Sequence, residues 1–450
     1  MKYKGMRIIV AGAGEVGRHL AKMLAREKHS IVVLDTNEEV LANLDANYDL
    51  TTLVGSPVSI EKLKEAGAKA TDLFIAVTPD ESRNLTACIL ATKLGAKKTV
   101  ARIDNPEYLE GSHKAFFEQL GIHSLIYPEM LAAEEIVNSL KRPWTRQWHE
   151  FCGGKLILVS VKVRSSAPIL EKPLLELFKD ESEYRIAVIK RQNRTLIPSG
   201  KDIMMAGDLV FFLSTPNAID TIRKMCGKGS KEVHRVMIMG GSRIALKAAH
   251  LLSEDYDVKI VETNRERAEW LIERVDPNTQ VIVGDGRDVD LLESEGIEST
   301  DAFVALTGSA ETNILSCLAA KNYHIHRTIA EVENIDYIPL AEGLDIGMII
   351  NKKMIAAGHI YQLMLEADVS NVKSLAFADA EVAEFVVNKK AKITKALVKN
   401  LDLPENISLG GLVRKGKGML IYGDTQIMEG DHVVVFCPNS SIQRIEKFFQ

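Results

Sequence analysis

The chain has 450 residues, 46% of them hydrophobic and 26% charged, with a formal net charge of −5. That length supports roughly three or four domains with their own cores, and the balance argues against disorder and against a general attraction to nucleic-acid phosphates. Five widely separated cysteines, Cys88, Cys152, Cys226, Cys317 and Cys437, lack paired ligand spacing, which excludes a disulfide scaffold or a cysteine-rich zinc site and fits a reducing compartment.

From Met6 to about Gly121 short apolar runs alternate with helical stretches. Strands are predicted at RIIVAG, IVVLD, TTLVG, DLFIAVT and TVARI, with helices EVGRHLAKMLARE, NEEVLANLDAN, SIEKLKEAG and SRNLTACILATKLG between them. Apolar runs rich in Val and Ile that alternate with helices indicate a parallel sheet covered on both faces. The expectation is a doubly wound, Rossmann-type α/β domain over residues 1–141. Its closing helix carries Met130, Ala133, Val137 and Leu140 at 3, 4, 3 spacing, which covers one helical face. That face fits a core helix folded onto its own domain, and equally a crossover helix packed against a partner unit.

A basic, Trp-bearing linker, KRPWTRQWHEFCGG, then leads into a small α+β lobe, placed at 142–228. Its end, LIPSGKDIMMAGDLVFFLSTPNAIDTIRK, matches LIYGDTQIMEGDHVVVFCPNSSIQRIEK near the C-terminus. Gly207-Asp208 stands against Gly430-Asp431 (431 − 208 = 223). GKGSKE at 227–232 is the expected join between halves.

The second half repeats the plan: RVMIMG, VKIVE, QVIVG, DAFVALT and RTIAEV predict a second α/β domain over 233–366, followed by a second lobe over 367–450. Thr78 meets Thr307, Cys88 meets Cys317 and Ala101 meets Ala330 (307 − 78 = 229). The closing helix recurs as Met354, Ala357, Tyr361 and Met364 (354 − 130 = 224). A chain built twice from one plan is two related modules. The order is large, small, large, small.

In the first module RIIVAGAGEVGRHLAKML places Gly12, Gly14 and Gly17 between an apolar strand and an amphipathic helix. Gly12 permits the tight turn, Gly14 lets the backbone approach a diphosphate, and Gly17 lets the helix lie close on the sheet. The amides from about Glu15 and Val16 onward then face an anion, with the helix dipole behind them. Asp35 ends the second strand 18 residues after Gly17, near the roughly 20 expected for an acid that accepts ribose hydroxyls. A carboxylate there repels a ribose 2′-phosphate, which favours NAD(H) or a plain adenine nucleotide (ATP or ADP) over NADP. Ser56, Thr78 and Arg102 close later strands on the same ligand-binding side, with Arg102 as a forked cation for phosphate oxygens. In the second module Gly240, Ser242 and Ala245 replace the three glycines, Glu262 replaces Asp35, Gly284-Asp285 replaces Gly55-Ser56, and Glu331 replaces Arg102. A reduced or altered second site, around Gly240, Glu262, Asp285 and Thr307, is expected.

The strings VAGAGEVG, LFIAVTPDESRNLTAC and ARIDNPEY with Asp35, then DAFVALTGSAETN and MEGDHVVVF, together resemble the TrkA family of Trk-type potassium-uptake regulatory subunits. That family has two RCK (KTN) nucleotide-binding domains, each followed by a small lobe. The resemblance covers essentially the whole chain. It implies nucleotide contacts at Gly12, Ala13, Gly14, Glu15, Val16, Asp35, Ser56, Thr78 and Arg102. It also implies a cytoplasmic homo-oligomeric ring, of four chains, docked beneath a membrane potassium transporter on the inner face of the membrane.

Two other readings are weaker. An NAD-dependent oxidoreductase needs a positioned acid or base beside the nicotinamide, and His113 and His123 stand without a recognisable constellation. His324 and His326, flanking Ile325, put two imidazoles on one strand face, yet no further ligand lies nearby in sequence, so no catalytic or metal residue is assigned. The lysines of NKKAKITKALVKN (Lys389, Lys390, Lys392, Lys395, Lys399) are expected to form a solvated face. No stretch free of charge approaches the about 18 residues needed to cross a bilayer, and the start runs directly into the glycine loop without a signal-peptide pattern, so a soluble protein is expected.

Overall fold

The structure, a computed structural model, describes residues 5–25, 29–177, 182–192, 194–196, 198–229, 232–325, 327–365, 371–374, 380–404, 407–438, 445 and 447–449. The first module runs β1 (Arg7–Ala11), α1 (Glu15–Ala25), β2 (Ser30–Asp35), α2 (Glu38–Asn47), β3 (Thr51–Val54), α3 (Ile60–Glu65), β4 (Leu73–Ala76), α4 (Glu81–Leu94), β5 (Lys98–Arg102), α5 (Gly111–Gln119), β6 (Ser124–Ile126) and α6 (Pro128–Lys141). Its sheet is parallel throughout, in the order β3-β2-β1-β4-β5-β6. The strand order reverses between β1 and β4, so a crevice opens at the carboxyl ends of these two strands. Ile9, Ala11, Phe74 and Ala76 of β1 and β4 pack with Ala87, Cys88 and Ala91 of α4 in one core.

The first lobe follows: β7 (Gln147–Phe151), β8 (Leu156–Lys162), α7 (Leu174–Leu177), β9 (Tyr184–Arg191), β10 (Arg194–Leu196), β11 (Leu209–Ser214) and α8 (Ile219–Met225). Its antiparallel sheet is ordered β10-β9-β11-β8-β7. The stretch expected to be linker thus contains a strand, because Phe151 is fully buried and Trp148 packs on the lobe core. Arg142 covers the Trp148 ring at 4.1 Å.

The second module repeats the first: β12 (Arg235–Met239), α9 (Arg243–Leu252), β13 (Asp257–Glu262), α10 (Arg265–Ile272), β14 (Thr279–Val283), α11 (Val289–Ser294), β15 (Ala302–Ala305), α12 (Ala310–Asn322), β16 (Arg327–Glu331), α13 (Ile338–Gly343), β17 (Met348–Ile350) and α14 (Lys352–Leu365). The sheet order, β14-β13-β12-β15-β16-β17, is the same reversal. The second lobe has β18 (Asn371–Ser374), β19 (Ala380–Val386), β20 (Ser408–Arg414), β21 (Lys417–Leu420) and β22 (His432–Pro438), ordered β18-β19-β22-β20-β21. The fold is therefore two Rossmann-type parallel sheets and two small antiparallel sheets.

Two compact units result: Met1–Ile136 with Arg235–Met364, and Val137–His234 with Leu365–Gln450. The first holds both α/β modules, the second both lobes. In the second unit the two lobes share one core, where Phe151, Leu156, Phe211 and Leu213 meet Val413, Val434 and Phe436. A β-carbon at Gly410 would lie 2.7 Å from Leu213, and one at Gly418 2.3 Å from the Lys155 carbonyl oxygen, so glycine permits the close approach. Each lobe also has a buried corner. Arg191 donates from Nε and Nη2 to Asp208 at 2.9 and 2.8 Å, and Arg414 does the same to Asp431 at 2.9 and 2.6 Å. These pairs explain the repeated Gly-Asp: Gly207 and Gly430 turn at φ of 88° and 80°, and Asp208 and Asp431 are buried.

On α6, Ala133, Val137 and Leu140 are buried together with Ala132 and Ile136. The helix begins in the first unit and ends in the second. On α14, Ala357 is buried, while the side chains of Tyr361 and Met364 lie outside the described residues, as do residues 230–231 of the expected join. Among the described residues no helix is long and apolar enough to cross a membrane.

Candidate functional site

At the end of β1 the chain turns sharply. Gly12 sits at φ 110°, and a β-carbon there would lie 2.9 Å from the Thr78 amide nitrogen. One at Gly17 would lie 1.8 Å from the Gly12 carbonyl oxygen, so α1 approaches the loop closer than any side chain allows. Gly14 has nothing within 4 Å, leaving its face of the loop open. Asp35 closes the loop from β2: its Oδ2 accepts from Ala13 N at 2.5 Å and its Oδ1 from Asn37 N at 2.8 Å. Each carboxylate oxygen keeps a second lone pair for a ribose hydroxyl. Gly12, Ala13, Gly14, Glu15, Val16 and Asp35 are thus brought together around one helix N-terminus.

Ser56, after β3, accepts from Val58 N at 3.4 Å. Thr78, after β4, lies at the crevice floor, but its hydroxyl donates to Asn84 Oδ1 at 2.7 Å and its amide to the same oxygen at 2.9 Å. Asn84 returns two bonds, to the carbonyls of Thr78 (2.9 Å) and Arg102 (3.0 Å). This buried asparagine on α4 ties the ends of β4 and β5. Sequence reasoning missed it, although Asn84 and Asn313 hold the same place in the repeat (313 − 84 = 229).

Arg102 ends β5 with its Nη2 3.3 Å from Asp104 and 4.0 Å from Glu129. Its Nε and Glu129 Oε2 are buried without a hydrogen-bond partner among the described residues. A buried donor in that state is costly, and an anionic ligand oxygen would satisfy it. Around it the two modules exchange ion pairs: Arg243 of α9 reaches Asp104 at 3.8 Å, and Lys353 of α14 pairs with Glu15 and, at 3.0 Å, with Glu333. The start of α14 therefore contacts the start of α1 in the other module.

The second module has the same frame with different chemistry. Gly240 turns at φ 97°, and Glu262 accepts from Gly241 N at 2.6 Å and Asn264 N at 2.8 Å. Thr307 is again locked by its asparagine, Asn313, at 2.7 Å. An open cleft of about 420 Å³ is lined by Gly240, Ser242, Glu262, Asp285 and Thr307. Yet Ser242 caps α9, its Oγ accepting from Ala245 N at 3.2 Å, where Gly14 leaves the first helix uncapped by a side chain. Arg287 neutralises Asp285 in a bidentate pair at 3.0 and 2.7 Å, holding that carboxyl below its usual range through hydrogen bonding. Arg267 donates to the Gly241 carbonyl at 2.7 Å and stacks on Trp270 at 3.9 Å. Burial pushes Glu331 up from the ordinary carboxylate range, against the opposing pull of Lys352. The cleft is roomy, but a phosphate is held by free amides rather than by volume, and those amides are better presented in the first module.

The two histidines of the oxidoreductase reading are each held by backbone groups. His113 bonds the Glu107 carbonyl at 2.8 Å, and His123 Nδ1 accepts from Thr99 N at 3.1 Å. His324 sits at φ 59° in a turn, and His326 lies outside the described residues. All five lysines between 389 and 399 are exposed.

Two Rossmann-type modules, each with a glycine loop opening at a switch point and each followed by a small antiparallel lobe, define a tandem RCK-type α/β protein. The TrkA-N domain family matches residues 8–128 and 236–352, and the TrkA-C domain family matches 158–227 and 382–450. The chain is 33% identical to the Trk system potassium uptake protein TrkA of Halomonas elongata over 452 residues, covering 99% of each, and 33% identical to that of Vibrio alginolyticus over 454 residues, again 99% of each. It belongs to the TrkA family. Among solved structures, the GsuK RCK domain aligns with TM-score 0.61 at 16% identity, over 99% of this chain and 95% of that one. The GsuK channel bound to NAD aligns with TM-score 0.62 at 15% identity, over 100% and 79%; at these identities the likeness is one of fold.

Proposed function

We propose that this chain is the nucleotide-sensing, non-enzymatic regulatory subunit of a Trk-type potassium uptake system, acting on the cytoplasmic face of the membrane as a ring, tetrameric on this reading, that gates a membrane transporter. The observation that carries it is the first glycine loop, in which Gly17 meets the Gly12 carbonyl at a distance only glycine allows. That arrangement leaves the start of α1 bare for a diphosphate. Asp35 then takes the adenosine ribose, Arg102 a phosphate oxygen, and Ser56 and the Thr78 backbone line the crevice. NAD(H), ATP and ADP all carry these groups, and solved relatives of the fold include the GsuK channel bound to NAD and GsuK bound to ADP. In the second module Gly240, Glu262, Asp285 and Thr307 form the altered counterpart. On this reading the functional blocks are 1–141, 142–228, 233–366 and 367–450.

Regulation requires a ligand that prefers one state of the assembly. A typical coupling of about 1–3 kcal/mol alters an affinity by roughly 5–150-fold. Lys353 and Arg243 supply the means, because both reach across from the second module to acids beside the first loop. An added diphosphate competes with Glu15 and Asp104 for these cations.

Calorimetric titration with NADH, NAD, ATP and ADP separately tests this reading. Binding at one or two sites per chain without turnover is the expected result, with Asp35→Ala and Arg102→Ala each weakening it at least tenfold while the oligomer persists. Binding by none of the four, or steady oxidation of NADH with a metabolite, overturns it.

A further inference from the structure

We infer that Cys152, Glu384 and His432 form a site for one divalent cation of the zinc class, joining the two lobes. The residues come from three places. Glu384 and His432 lie on adjacent strands β19 and β22, where Glu384 opposes Val434 and His432 opposes Val386; a two-residue offset puts both side chains on one face of the sheet. Cys152 comes from the turn between β7 and β8 of the other lobe. One ligand atom from each, the Cys152 sulfur, a Glu384 oxygen and a His432 ring nitrogen, lies within 4.8 Å of the other two. Zinc bonds of about 2.0–2.3 Å set donors roughly 3–4 Å apart. Side-chain shifts of about an ångström bring the three onto one ion.

The chemistry of the set is selective. Sulfur, imidazole and carboxylate together suit zinc and its neighbours, not calcium or magnesium, which take oxygen ligands. Three protein ligands leave a fourth position for water. Glu384 is buried, and its Oε2 accepts from Cys152 N at 2.8 Å while Oε1 meets His432 Nδ1 at 2.8 Å, so the carboxylate already orients both partners. The turn is also specialised: Cys152, Gly153 and Gly154 all lie at positive φ, 52°, 63° and 78°. The first of these holds a cysteine where the backbone favours glycine. A cation held between Cys152 and Glu384 takes the cysteine as its thiolate.

Among the described residues the site occurs once. The positions of the first lobe that match Glu384 and His432 are Ser160 and Leu209 (384 − 160 = 224; 432 − 209 = 223), which offer no such pair. It is also independent of the nucleotide reading, since none of its residues belongs to the α/β modules.

The test is titration of the reduced, chelator-treated full chain with Co(II). One ion per chain, with a near-ultraviolet sulfur-to-metal band and the visible bands of tetrahedral cobalt, both lost on adding Zn(II), is the expected result. Cys152→Ser should remove the sulfur band, and His432→Gln, at a half-exposed position, should weaken Zn(II) binding at least tenfold. Zn(II) should raise the melting temperature of the unaltered chain and not that of His432→Gln. Absence of the sulfur band in the unaltered chain, or equal Zn(II) binding by His432→Gln, overturns the proposal.

Discussion

At the scale of single residues, the three glycines of the first loop divide their work, and the division is testable. A methyl at Gly17 meets the Gly12 carbonyl oxygen at 1.8 Å, so α1 must move off the sheet. Overpacking of this kind costs about 1–3 kcal/mol, occasionally more. Gly17→Ala should therefore lower stability in urea by that amount and weaken nucleotide binding with it. Gly14→Ala meets no atom within 4 Å and should leave stability within about 1 kcal/mol, while still weakening nucleotide binding because its methyl occupies the diphosphate's approach. Normal binding by Gly14→Ala would place the diphosphate elsewhere. The turn at Gly12 and the close approach at Gly17 were legible in the sequence because each is set by backbone geometry alone. The roles of Thr78 and Thr307 were not, because their hydroxyls turn inward to Asn84 and Asn313 and the direction of a hydroxyl leaves no periodic trace.

At the scale of elements, the long apolar strands announced themselves: β1, β2, β4 and their repeats are buried runs between amphipathic helices. The short sheet edges did not. β6 and β17 have three residues each, too few for a period, and exist because β5 and β16 offer open edges. β7 hid in a stretch whose Trp, Arg and His read as linker, although Phe151 is its buried anchor. The lobes' corners illustrate the opposite case, in which a repeated dipeptide encodes a contact 17 residues away. Removing Asp208 or Asp431 takes the carboxylate from a guanidinium, which keeps only a backbone carbonyl, and leaves the amide of Met205 or Met428 without its acceptor. Asp208→Ala and Asp431→Ala should each cost about 2–4 kcal/mol, read as an earlier unfolding of the lobes in urea, with nucleotide affinity in the α/β modules preserved. Equal loss of both properties would show that the units do not unfold separately.

At the scale of the whole molecule, the two α/β modules are near copies with opposite charges where they meet. Glu15 corresponds to Arg243 (243 − 15 = 228), Glu129 to Lys353 (353 − 129 = 224) and Arg102 to Glu331 (331 − 102 = 229). The Lys353–Glu15 and Arg243–Asp104 pairs are the product. Two copies of the first module docked in the same way would set Glu15 against Glu129, and like charges disfavour that pairing. Lys353→Glu should destabilise the first unit by about 1–3 kcal/mol, and adding Glu15→Lys should recover at least half of the loss in a double-mutant cycle. No recovery would mean that the pair carries no specificity. This complementarity spans more than two hundred residues, so only the aligned repeat, read with the structure, makes it visible.

The core shared by the lobes also has a consequence in time. Leu213 leaves the ribosome 221 residues before Val434, which lies in the same shared core (434 − 213 = 221). At about 5–20 residues per second the wait is roughly 11–44 s. Through that interval Phe151, Leu156, Phe211 and Leu213 present half of a finished interior to the cell. A chain stopped anywhere before β22 therefore leaves that apolar face without the strand that completes its cover.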